Sequence, residues 1–214
     1  MSARDWLLLI SLSILWGGSF FFVRVAVAEL PPFSLVLARV AIAAAVLLLL
    51  IRLAGEHLPR GRQAWFVLAV MAVLNNLVPF SLIFWGQTAM PAGLAAILNA
   101  TTPLFTAVVM HAFTTDEKAT PAKVAGVLVG LGGVVVLVGP AAAGAGDVPL
   151  WALAACLGGA LSYAFAGLWG RRIKPLGLTP MPTAFGQLAA TSLMMLPVVL
   201  IADRPWLLPM PGLA

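Results

Sequence analysis

The chain is written in long apolar runs separated by short polar breaks. Seven runs approach the length a helix needs to cross a bilayer, about 20 mostly apolar residues: 6–27, 33–53, 64–86, 91–113, 121–139, 150–170 and 181–202. Each is bounded by Pro, Gly or charge, the ordinary breakers. None alternates with a period of two, and Leu and Ala dominate, so the pattern predicts helices rather than strands. The fourth run breaks the apolar rule at its middle. The stretch ILNATTPLFT, Ile97 to Thr106, carries one Asn, three Thr and one Pro where lipid would surround an isolated helix. Lipid offers no hydrogen-bond partners, so these groups are expected to face something else.

Composition turns the pattern into a class. Of 214 residues, 62% are hydrophobic and 9% charged, against roughly 25% charged in a soluble domain. Such a chain cannot cover a water-facing surface. The expectation is an all-α integral membrane protein with the lipid bilayer as its first partner and no nucleic-acid partner. The net charge of +5 then reads as basic anchoring of cytoplasmic loops. The single cysteine, Cys156, rules out a disulfide framework and reads as a small buried hydrophobe. Arg4 before an apolar run and the pair Ala26 and Ala28 imitate a secretory leader. Asp5, Arg24 and the length of the run favour a retained first helix.

Charge also orients the chain. With the N-terminus inside, Arg4, Arg52, Arg60, Arg62, Lys118, Lys123, Arg171, Arg172 and Lys174 are cytoplasmic, nine of the twelve Lys and Arg. The opposite loops hold Glu29, Asp147, and Asp203 with Arg204. The N-terminus is therefore expected in the cytoplasm.

Two segments recur. LWGGSFFFVRVA from Leu15 aligns with SYAFAGLWGRRI from Ser162, placing Trp16 on Tyr163 and Arg24 on Arg171. LPPFSLVLAR from Leu30 aligns with LTPMPTAFGQ from Leu178, placing Pro32 on Pro180 and Arg39 on Gln187. The order and near-constant offset indicate a duplication. Because the first unit holds five helices, an odd number, the second starts from the opposite side. Inverted repeats of this kind build secondary transporters, with substrate sites near the midplane between the halves.

Here the chain resembles the EamA-type branch of the drug/metabolite transporter superfamily. The likeness lies in ILWGGSFFFVRVA, LPPFSLVLAR, GQTAMPAGLAAILNATTPLFTAVV and DEKATPAKVAGVLVGLGGVVVLVG. It implies ten helices in two five-helix repeats, the export or exchange of small metabolites (amino acids, related metabolites or amphipathic drugs), and no cofactor. On that pattern residues 1–140 are the first repeat and 148–214 an incomplete second one. Seven helices of an expected ten are present, which reads as a shortened chain.

Candidate residues follow from the polar breaks. Ala92, Ala95, Asn99, Thr102 and Thr106 form one small, polar stripe along a helix, with Leu94, Ile97, Leu98, Leu104, Phe105 and Val108 opposite. Pro103 lacks an N–H, which frees the carbonyl of Asn99. Pro79 does the same for Asn75, with Asn76 adjacent. These groups are expected to line a central cavity for a small-molecule substrate, together with Trp16, Tyr163 and Arg39, a cation set into the second helix. The alternative use of Asn and Thr is as glue between helices. Arg24, near a helix end, is expected to be structural. Trp6, Trp85 and Trp151 read as interfacial anchors.

Gly126, Gly130 and Gly133 form a smooth face suited to close packing inside the bundle, and a homodimer is its other use. No motif for a nucleophile with its base, for paired deep carboxylates or for a metal set is present, so an enzyme is not expected. A seven-helix receptor or sensor, or a non-functional transporter fragment, are the rival readings. Asn99→Leu is expected to lower solute transport while leaving membrane insertion unchanged. Normal transport by a normally inserted Leu variant would remove Asn99 from the site.

Overall fold

The structure, a computed structural model, describes residues 2–118, 120–144 and 148–207. Asp147 of the expected outer loop and the end of the chain, 208–214, lie outside the described residues. Each predicted run becomes a helix: α1 (Ala3–Ala26), α2 (Pro32–Leu53), α3 (Arg62–Gln87), α4 (Ala92–Phe113), α5 (Pro121–Gly144), α6 (Leu150–Gly170) and α7 (Pro180–Ala202). Six are long and apolar enough to cross a membrane, and α5 carries a shorter apolar stretch over Pro121–Gly133. The chain is a multi-pass, all-α membrane protein.

Local chemistry sets the helix starts. Ser2 accepts from the backbone N–H of Asp5, and the Asp5 carboxylate accepts from the backbone N–H of Ser2 at 2.7 Å. This capping box satisfies two N–H groups that a helix start leaves open. Asp5, which spoils a leader-like start, is thus a helix cap. α2 and α7 both open with proline in the first turn, where a missing N–H costs nothing.

Side-chain contacts give the helix directions. At one end of α2, the backbone N–H of Ser34 donates to Asp203 at the end of α7. At the other end, Thr179 at the start of α7 donates to the Glu56 carboxylate. The two helices are therefore antiparallel along their length. Asn75 bonds Gln187 and Ser81 meets Met195, so α3 and α7 run parallel. Gly86 abuts Ala152 while Ser162 reaches Leu74, so α3 and α6 run antiparallel. The directions gather Arg52, Arg60, Arg62, Arg171, Arg172 and Lys174 at one end of the bundle.

At that end Arg171 grips the Asp116 carboxylate with both terminal guanidinium nitrogens, joining the turn after α4 to the end of α6. The hydrogen bond from Arg171 holds the Asp116 carboxyl below its ordinary value.

Small residues decide where helices come closest. A Cβ on Gly86 would stand 3.0 Å from the Ala152 carbonyl and 3.0 Å from Cys156 Sγ. One on Gly159 would stand 3.0 Å from Ile83. The seam in which backbone is met is thus α3 on α6, and a Cβ on Gly186 of α7 would stand 2.6 Å from the Leu68 side chain of α3. Of the expected glycine face on α5, Gly130 meets Leu104 of α4, while among the described residues nothing stands within 4 Å of a Cβ placed on Gly126 or Gly133. The reason is geometric. α5 rests chiefly on α4, so a single line of contact reaches it.

Gly86→Val is expected to destabilise the fold by about 1–3 kcal/mol through overpacking, whereas Gly126→Val is expected to stay within about 0.5 kcal/mol of wild type. Unfolding in detergent reads both, and equal effects would contradict the assigned seam. Asp116 is expected to titrate below its ordinary value of 3.8. Because the folded pKa is the lower one, its contribution is present above the unfolded pKa and is lost as pH falls through the folded pKa. Carbon-13 NMR of labelled aspartate checks this, and Arg171→Gln is expected to return the midpoint toward the ordinary value.

Candidate functional site

Two helices of the bundle are irregular, and both irregularities fall at mid-depth. In α3 the segment Val73–Leu77 is a π turn, in which Val78 N–H donates to Val73 across one extra residue. Pro79 follows it and is buried. The frame shift is a common answer to a proline that cannot donate. Neighbouring helices bond into this region: Ser162 Oγ donates to the Leu74 carbonyl at 2.8 Å, and Thr191 Oγ1 to the Ala72 carbonyl at 3.3 Å. The turn carries both Asn75 and Asn76.

In α4 the regular helix stops at Asn99 and resumes at Thr102, with Pro103 in the new first turn. The carbonyl of Asn99, freed by Pro103, is taken at 2.7 Å by the hydroxyl of Thr102. Thr101 bonds the Leu98 carbonyl at 2.6 Å and Thr106 the Thr102 carbonyl at 2.8 Å. The threonines thus mend their own broken helix. The side of α4 expected to oppose the polar stripe is corrected in part. Leu94 and Leu98 are buried in the core, while Val108 is exposed. The break at Ala100 and Thr101 changes the helical phase, so one face cannot be projected along the whole run.

A cavity of about 560 Å³ opens between α1, α2, α3, α4 and α6. The seven residues singled out for a substrate cavity, Trp16, Arg39, Asn75, Asn76, Asn99, Thr102 and Tyr163, all line it, as does Pro103. Trp16 and Tyr163, paired in the sequence alignment, both line this cavity. Phe80 and Phe84 of α3 add aromatic wall.

The polar atoms of this cavity fall into two sets. Asn75 Nδ2 donates to Gln187 Oε1 at 3.2 Å, which ties α3 to α7. Arg39 donates to Ser19 Oγ at 2.8 Å and lies 4.9 Å from the Phe80 ring centre, a cation–π distance. The second set has no protein partner: Asn76 Nδ2, Gln87 Oε1 and Asn99 Oδ1 are buried and unpaired. Buried polar groups are nearly always bonded. All three residues line the cavity.

Sequence reasoning missed Gln87, Ser19 and the Gln187 tether. Gln87 is fully buried although it ends the apolar run of α3. Its signal was weak, a lone polar residue beside Gly86 at a helix end. Arg24 behaves as expected of a structural cation. It donates to the carbonyls of Gln87 at 2.8 Å and Thr88 at 3.3 Å, where a helix C-terminus favours positive charge. Trp85 and Trp151 stack at 4.5 Å.

A second cavity, about 620 Å³, lies at the Arg171 end between α4 and α6. Arg172 covers Trp169 at 4.0 Å there. Among the described residues, no three His, Cys, Asp or Glu side chains come together as metal ligands would.

Known proteins resemble this chain in sequence. Residues 5–139 match the model of the EamA-like transporter family. The chain is 30% identical over 206 residues to the uncharacterized inner membrane transporter YedA of Escherichia coli, covering 94% of this chain and 64% of YedA. It is 24% identical over 163 residues to the uncharacterized transporter YoaV of Bacillus subtilis, covering 76% of this chain and 56% of YoaV. The chain therefore spans less than two thirds of the length of these relatives. No solved structure matches it. The match across most of the first five helices, with an all-helical membrane fold, places the chain in the EamA-like transporter family.

Proposed function

We propose that the chain serves the export or exchange of small metabolites by alternating access, with the cavity between α1, α2, α3, α4 and α6 as the solute path. The solute class is amino acids, related metabolites or amphipathic drugs. The observation that carries this reading is the convergence of three residues with unpaired amide atoms, one guanidinium and an aromatic wall on one cavity. Transporter sites pair apolar walls with a few convergent polar groups. Arg39 suits an anionic group on the solute, and Trp16, Phe80, Phe84 and Tyr163 suit an apolar body. The reading is non-enzymatic and needs no cofactor.

The setting follows from the same features. The bilayer is the bacterial inner membrane, by likeness to YedA, with the N-terminus cytoplasmic on the strength of the basic end of the bundle. Residues 1–140 and 148–214 are the two units of an inverted repeat. Antiparallel packing of α2 on α7, each opened by the matched prolines Pro32 and Pro180, supports this. The bare faces of Gly126 and Gly133 leave α5 able to meet lipid or a second copy.

Counterflow of labelled solutes in proteoliposomes tests the transport reading. Saturable counterflow is expected, whereas a leak without saturation would indicate a channel. Arg39→Gln is expected to raise the KM for carboxylate-bearing solutes by about tenfold or more, the cost of one charge-assisted hydrogen bond. Decarboxylated analogues are expected to change by less than about twofold. Equal effects on both would remove Arg39 as the anion contact.

A further inference from the structure

Gln87 is fully buried where α3 ends, and it lines the cavity. Its Nε2 donates to the main-chain carbonyl of Phe20 in α1 at 2.9 Å. A carbonyl only accepts, so this bond settles which way the amide faces: nitrogen toward α1, oxygen away from it. The main-chain carbonyl of Gln87 is held by Arg24 at 2.8 Å. The residue is thus anchored at both ends, and Oε1 cannot turn to Phe20 without breaking a bond. Yet Oε1 is buried with no protein partner.

Two further groups narrow what meets it. Asn99 Oδ1 is a second buried, unpaired acceptor on the same cavity. Arg39 is a cation on that cavity, and its charge disfavours a cation that brings no anionic group with it. A solute that carries both a hydrogen-bond donor and an anionic group answers both demands.

We propose that Gln87 is a specificity-determining residue whose Oε1 accepts a hydrogen bond from an N–H donor of the solute. This rests on reading the cavity as the solute path. The selectivity is strong in kind, because a site built to bond a donor is left with a buried acceptor unmade when the donor is absent.

Equilibrium binding to the purified chain by titration calorimetry tests it, with two probes of one carbon skeleton. L-Leucine carries an ammonium group, and 4-methylpentanoate is the same molecule without it. Wild type is expected to bind L-leucine about tenfold or more tighter than 4-methylpentanoate. Gln87→Met removes the acceptor at similar length and is expected to bring the ratio to within about twofold of unity. Gln87→Glu gives up the Phe20 tether but places a carboxylate opposite the ammonium, and is expected to raise the ratio at least about threefold above wild type. The Glu variant decides the matter if the Met variant does not fold.

If Gln87 only ties α1 to α3, both variants weaken the two probes alike and leave the ratio untouched, which overturns the proposal. Equal binding of the two probes by wild type also overturns it, while the solute-path reading stands. Binding of neither probe overturns both.

Discussion

The interior of a bilayer supplies no hydrogen-bond partners, and every polar atom carried into it must find one within the protein or in a cavity. The arrangement of this chain follows from that demand. Thr101, Thr102 and Thr106 spend their hydroxyls on the backbone of their own broken helix. Ser162 and Thr191 reach across to carbonyls of α3. Arg24 closes the end of α3, and Gln187 holds Asn75. What remains is small: besides Ser34 Oγ at the start of α2, the unpaired buried side-chain atoms among the described residues are those of Asn76, Gln87 and Asn99. All three stand on one cavity.

The two prolines make this possible. Each removes a donor from the middle of a spanning helix, and each time the chain answers differently. α3 shifts frame into a π turn that presents two adjacent asparagines, one tied to α7 and one unpaired. α4 stops and restarts, with side-chain hydroxyls in place of the lost bonds. Irregular backbone at membrane depth is tolerated where it is buried in protein or borders a cavity. Both irregular turns here do so.

Around this centre the packing is uneven. α3 and α6 meet through Gly86 and Gly159, close enough that one added carbon would strike a neighbour. α2 lies along α7. By contrast, α1 exposes Leu8, Ile14, Leu15, Phe21 and Phe22, and α5 exposes Val129, Val135 and Val136. Those faces suit lipid, whose tails are as apolar as the side chains. Without a hydrophobic drive between helices in lipid, small residues and cross-helix hydrogen bonds carry the association, and they are concentrated on α3, α6 and α7.

By itself, the sequence determined the membrane class, the number and approximate limits of the helices, and the polar breaks worth attention. Length, hydropathy and proline chemistry are local properties, and they act the same way whatever the neighbours. Arg39, Asn75, Asn76, Asn99 and Thr102 were legible because polar groups at mid-span are costly in lipid, and Trp16 and Tyr163 because the aligned segments pair them. Their division of labour was not. Whether an amide is spent on a partner or left open depends on which helix lies opposite. Asn75 and Asn76 are neighbours in the chain with opposite fates for that reason alone. Gln87 was hidden because its tether, Phe20, lies 67 residues away. The glycine face of α5 follows the same logic: spacing shows that a face is smooth, but only the packed bundle decides what rests on it.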